Sequence, residues 1–259
     1  MKILFSPSES KSDISTYPPI SSFYLDENFK NKIFQLKKEK YTLENKRFEL
    51  INNISNKIQT TNNEILKEIF GTSDVIKYKI NLLTSPTQKA ILRYTGVAYQ
   101  ALNYNNMNKK AQDFIDKNVI IFSNIFGAIF ASDKIPLYKL KQGKTIDNIN
   151  IPKYYKTYFS QALDELFENE EIIDLRADFY TKFYNIKKDY YTFKFTKNKK
   201  TINHYSKYYR GVFLNILANI NKDKRTSIDD FLAYVDKNFV IICTEKVKNK
   251  TTITVEIKD

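Results

Sequence analysis

From residue 119 onward, five short runs rich in β-branched and aromatic residues alternate with helical patterns, and that alternation limits the chain to folds that pack helices on a mixed sheet. The runs are Val119–Phe122, Glu171–Leu175, Tyr191–Phe195, Asn238–Cys243 and Thr252–Ile257. Between them, Pro152 to Phe167, about Phe179 to Tyr184, Asn203 to Ile220 and Ser227 to Val235 read as helices, and Ser227 followed by Asp230 is the start signal of a capping box. Before them, Lys2 to Phe5 is a first strand stopped by Ser6-Pro7, and Ser8 to Pro19 is a polar loop. Apolar residues at three- and four-residue spacings from Asp26 to Ile58 predict one or two amphipathic helices. A further helix from Asn63 to Phe70 ends at Gly71, and Ser73 and Pro86 mark two more helix starts. The expected architecture is α+β (mixed α/β): one compact domain over residues 1–259, mainly helical over 26–95, with a mixed sheet and packed helices over 119–259.

The chain has 259 residues, 42% of them hydrophobic, which suffices for an ordinary core and excludes disorder. A single cysteine rules out an intrachain disulfide. Cys243 lies in an apolar run and reads as a small core residue. No stretch approaches the ~18 apolar residues of a membrane span, and the N-terminus lacks a signal-peptide apolar region, so a cytoplasmic protein without membrane contact is expected. The net charge of +13 suits a polyanionic partner. Only five of the 42 basic residues are Arg, while Lys, Asn, Ile, Phe and Tyr are abundant, so codon bias displayed on a solvated surface accounts for the charge about as well.

Metal chemistry is poorly supplied, because one histidine, His204, and one cysteine cannot provide the clustered ligands that a metal cage uses. No Gly-x-Ser-x-Gly elbow, P-loop or Gly-x-Gly-x-x-Gly fingerprint is present, and no cofactor is expected. Two segments remain. Ser6-Pro7-Ser8-Glu9-Ser10-Lys11 places hydroxyls, a carboxylate and an ammonium after the first strand, where α/β sheets hold ligands. His204 to Gly211 opens a helix on which Lys207 and Arg210, three apart, share a face. Alone, each segment reads more simply as a polar turn and a solvated helix start.

Together with others, these segments resemble the YaaA family of bacterial peroxide-stress proteins. The first loop is similar to the family's opening motif. Ala90 to Leu102, Val119 to Ile129, Tyr138 to Gly143, Asp174 through Tyr180 and Lys182, and Tyr205 to Gly211 follow in matching order. Four of the five glycines, Gly96, Gly127, Gly143 and Gly211, fall on motif glycines. The chain is a divergent member by this measure: Phe130 stands where the family usually has Arg, Lys141 where it has Glu, and Tyr155-Lys156 where it has Trp-Gly.

The resemblance implies a cytosolic protein that limits iron-dependent peroxide damage. It also implies a basic cleft and DNA binding through a helix-hairpin-helix-like part, for which Phe70-Gly71-Thr72-Ser73 is a loose equivalent. It brings no settled enzymatic reaction. The leading expectation is non-specific DNA binding, with lysines neutralising phosphates and few arginines for base readout. The alternative is an enzyme acting on an anionic or phosphorylated small molecule, and a third possibility is an interaction protein in iron homeostasis. The candidate binding residues are Ser8, Glu9, Lys11, Lys139, Tyr180, Lys182, Lys207 and Arg210, the first three meeting Lys207 and Arg210 in one cleft. Glu9 is expected to separate the two cations or to act as a general base. Clustering in one pocket favours a small molecule, and a broad basic groove favours nucleic acid.

Overall fold

A computed structural model describes residues 1–198, 200–201, 203–220 and 227–257, with 200, 201, 203 and 204 described by their backbone. The chain opens with β1 (Lys2–Phe5), whose last three residues are buried. After the first loop comes α1 (Tyr24–Asn28), then a hairpin of β2 (Phe34–Leu36) and β3 (Glu39–Tyr41). Next are α2 (Leu43–Thr60), α3 (Asn63–Phe70), a single 3-10 turn at Ile76–Tyr78, β4 (Thr87–Lys89), α4 (Ala90–Arg93), α5 (Val97–Leu102) and α6 (Lys109–Asn118). The strands β5 (Val119–Ser123), β6 (Gly127–Phe130) and β7 (Lys134–Pro136) lead to α7 (Ile151–Phe167), β8 (Ile172–Asp174) and α8 (Asp178–Thr181). The chain closes with β9 (Tyr190–Lys197), β10 (Lys200–Thr201), α9 (Asn203–Ile220), α10 (Ile228–Asn238), β11 (Val240–Val247) and β12 (Lys250–Glu256).

Among the described residues the main sheet runs β11-β12-β9-β8-β1-β5-β6, with β10 paired to β9. β1 is parallel to both neighbours, with Leu4 opposite Ile120 on β5 and Asp174 on β8. From β1 the chain leaves towards β5, whereas from β8 it leaves towards β9. The carboxyl ends of β1 and β8 therefore flank a switch point, where open α/β sheets form a crevice. The protein is a single α/β domain with a mixed sheet, as expected. The five runs become β5, β8, β9, β11 and β12, and the Ser227–Asp230 capping box closes on both sides.

Three local expectations are corrected. The apolar spacing at Phe29, Ile33 and Leu36 does not continue a helix: Phe29 closes α1, Ile33 precedes β2 and Leu36 lies in the β2-β3 hairpin, which turns at Lys37 in the left-handed region (φ 56°), with Phe34 stacked on Tyr41 at 5.9 Å. Ser73 leads into only the one 3-10 turn. The residues after Pro86 are drawn into a ladder instead of a helix, because Thr87 N–H donates to Tyr17 O and β4 pairs with β7. The hairpin of helices suggested around Gly71 is therefore absent as such. Gly71 does cap α3 in the left-handed conformation (φ 67°). Finally, Cys243 is exposed, because β11 is the outermost strand of the sheet and its apolar run is not covered.

Candidate anion-binding site

The Ser6 to Ser10 loop leaves β1 at Pro7, which cannot donate to the ladder. It is pinned at many points. Ser6 Oγ accepts the Ala177 N–H at 2.8 Å, and the Tyr99 hydroxyl donates to Ser6 O at 2.8 Å. Ser8 Oγ accepts the Ser10 N–H at 3.1 Å, a serine turn. Past the arch, Lys11 forms a bridge with Tyr94, Thr95 N–H donates to Ser10 O, and buried Arg93 donates to Ile14 O at 2.8 Å and Ser15 Oγ at 2.7 Å. Gly96 permits the close pass of the arch, since a Cβ there would lie 2.2 Å from Ser8 Oγ.

Beneath the arch lies a cavity of ≈ 270 Å³. Phe5 and Pro7 line it from the end of β1, Leu175 and Ala177 from the end of β8, Tyr99 from α5 and Tyr180 from α8; Ser8, Glu9 and Gln142 add polar groups. Lys207 and Arg210 enter from α9. Sequence segments 200 residues apart thus meet in one pocket. Burial holds the Tyr99 and Tyr180 hydroxyls above their usual range, so both stay protonated donors.

Arg210 is half-buried and, among the described residues, makes neither an ion pair nor a hydrogen bond. Burial pulls its pKa down, against the attraction of Asp178 and Asp174. Asp174 is already engaged, Arg176 Nε and Nη2 donating to its two carboxylate oxygens at 2.8 Å each. Lys207 likewise has no ion-pair partner among the described residues.

The expected residues divide as follows. Ser8, Glu9, Tyr180, Lys207 and Arg210 line the one cavity. Lys11 does not line it and sits behind the arch, with Nζ donating to Ser8 O at 3.0 Å and standing 4.1 Å above the Tyr138 ring. Lys139 is also outside, donating to Glu9 O at 3.3 Å. The Glu9 carboxylate accepts the Gln142 N–H at 3.1 Å and makes no ion pair with Lys207 or Arg210 among the described residues, so it ties the arch to the 139–142 segment instead of separating the cations. Lys182 lines a neighbouring recess of ≈ 410 Å³ with Lys144, Lys153 and Lys156. The side chain of His204 lies outside the described residues. Sequence reasoning missed Gln142 and Tyr99 as wall residues, although both fall inside motif segments.

The family model for the peroxide stress protein YaaA matches residues 1–240. The uncharacterized protein Cj0984 of Campylobacter jejuni is 44% identical, covering all of both chains. A UPF0246 protein of Corynebacterium glutamicum is 31% identical over 68% of this chain and 72% of its own length. A UPF0246 protein of Malacoplasma penetrans is 30% identical over 86% of this chain and 88% of its own. The chain belongs to the YaaA family of peroxide stress proteins.

Proposed function

We propose that this YaaA-family protein serves the peroxide-stress response by holding a small anion, of the phosphate or phosphorylated-metabolite class, in the cavity beneath the first loop. One observation carries the reading: among the described residues, Arg210 is half-buried in a concave site without a carboxylate on its guanidinium. A desolvated arginine is ordinarily paired, and an anionic ligand supplies the missing partner with bidentate hydrogen bonds. Lys207 adds a second positive charge, and the Tyr180 hydroxyl adds a donor, that of Tyr99 being given to Ser6 O. The aromatic and aliphatic walls leave room for an apolar part of the ligand. Limiting iron-dependent damage is part of the proposal, as the outcome of occupying this site under stress. The test is titration calorimetry with sulfate and with phosphate. Arg210→Ala, folded by circular dichroism, is expected to lose binding and to leave a deletion strain sensitive to peroxide. An Arg210→Ala protein that binds as tightly as wild type and restores resistance overturns the reading.

Non-specific DNA binding is the second reading, favoured by the recess beside the cavity, where Lys144, Lys153, Lys156 and Lys182 meet. It shares the Gln142–Lys144 turn and α8 with the first site. If phosphates cross both, duplex affinity falls by orders of magnitude between low and physiological salt. Affinity that is absent, or flat with salt, rejects it.

A further inference from the structure

We propose that Lys11 is the positioning residue of the anion cavity, holding the Ser8 and Glu9 backbone in place from behind the loop and supporting a bound anion with its charge. The proposal rests on the anion-site reading. Lys11 Nζ donates to the carbonyl of Ser8 at 3.0 Å and reaches that of Glu9 at 3.5 Å, and these two residues supply side chains to the cavity wall. Its ammonium stands over two aromatic faces, Tyr138 at 4.1 Å and Tyr94 at 5.4 Å. It thus joins the loop to two buried tyrosines whose hydroxyls bond each other at 2.9 Å, with Tyr138 continuing to Ser123 Oγ at 2.9 Å.

The groups around Lys11 leave its charge poorly compensated. On its own loop, the Glu9 carboxylate is engaged by the Gln142 N–H. From the 138–139 segment come Tyr138 and Lys139, and from the end of α4 come Arg93 and Tyr94, so the nearest formal charges outside the loop are both positive. Burial, then Lys139 and Arg93, against Glu9, bring its pKa down to about 7. The ammonium is therefore half-occupied near neutrality, and an anion on the other side of the arch favours its protonated form. Binding and protonation then promote each other, and anion affinity falls as pH rises through 7.

The experiment is sulfate titration of the full chain at pH 6, 7 and 8 at constant ionic strength, sulfate having no proton to lose in this range. If a bound anion raises the Lys11 pKa by one unit, from about 7, affinity falls roughly fivefold from pH 6 to pH 8. Lys11→Arg, charged throughout, is expected to bind without that pH dependence. Lys11→Met is expected to bind weakly at every pH, and His204→Asn to keep the wild-type slope. Should Lys11→Met not fold, wild-type calorimetry at pH 7 in buffers of different ionisation enthalpy measures the same linkage, with uptake of a fraction of a proton expected. Wild-type affinity that is flat from pH 6 to 8, or a slope that survives in Lys11→Arg or vanishes in His204→Asn, overturns the assignment. Failure of the wild type to bind sulfate even at pH 6 instead removes the anion site itself.

Discussion

A Cβ on Gly211 would lie 2.0 Å from the carbonyl oxygen of Ala98, so α9 rests on α5 with backbone against backbone. Arg210, the residue before it, takes its place in the cavity from that contact. Gly211→Ala must push the two helices apart, since the obstacle is main chain and cannot rotate away. The expected loss is about 1–3 kcal/mol in urea unfolding, the usual cost of overpacking, together with weakened sulfate binding. Gly96→Ala meets the Ser8 side chain instead, at 2.2 Å, and is expected to disturb binding more than stability. Equal effects of the two on both measurements would contradict this division.

The buried pair of Asp26 and Arg47 fixes α1 against α2. Arg47 Nε and Nη2 reach the two carboxylate oxygens at 2.7 and 2.8 Å, and the guanidinium lies 4.7 Å from the Phe23 ring centre and 4.6 Å from that of Phe159. Asp26→Ala leaves that charge uncompensated in the core, and breaking such a pair costs about 3–5 kcal/mol. Replacing both by apolar residues, as in Asp26→Leu with Arg47→Met, is expected to recover much of the loss. A double variant no more stable than Asp26→Ala shows that the ring contacts, rather than the charge, hold α1.

The strands that carry the site were legible because Lys2–Phe5 and Glu171–Leu175 are short apolar runs ended by polar residues, and buried parallel strands need that pattern. The meeting of the first loop with Lys207 and Arg210 was legible only through motif order, since no local pattern encodes contact across 200 residues. Other features were hidden for physical reasons. The β2-β3 turn uses Lys37 at positive φ, where glycine or asparagine is the usual signal. Lys11 carries the same charge pattern whether it faces the cavity or lies behind the arch, so its side of the loop is decided by the Tyr138 and Tyr94 rings. That the Arg210 guanidinium has no carboxylate partner among the described residues is a property of what surrounds it, and Asp174 is engaged only once Arg176 folds back on it.

Cys243 on the outermost strand is open to solvent. A thiol reagent such as dithionitrobenzoate is expected to label one equivalent per native chain without denaturant, and Cys243→Ser to abolish labelling with a change in stability within about 0.5 kcal/mol, as for surface substitutions. Labelling that requires urea would place the thiol in a core.

Asp133 makes the acid side of the stability curve unusual. It is buried, accepts the Tyr24 N–H at 2.8 Å on one oxygen and the Phe130 N–H at 2.7 Å on the other, and burial pushes its pKa up to about 6 despite those bonds and the attraction of Arg47. Its ordinary value is 3.8. Between these two values the folded chain binds more protons at this site than the unfolded chain does. The contribution of Asp133 therefore falls as pH rises through about 4 to 6, and its ionisation penalty is complete above 6. A shift of this size corresponds to about 2–3 kcal/mol. Asp133→Asn stays uncharged but has one acceptor oxygen for two N–H groups, so it is expected to be less stable than wild type at pH 4.5. That gap should narrow by about 2 kcal/mol by pH 7, measured by urea unfolding at pH 4.5, 5.5 and 7. A gap that stays constant or widens over this range would show that the two backbone donors hold the carboxylate ionised in the folded protein, as they do at a helix cap in water.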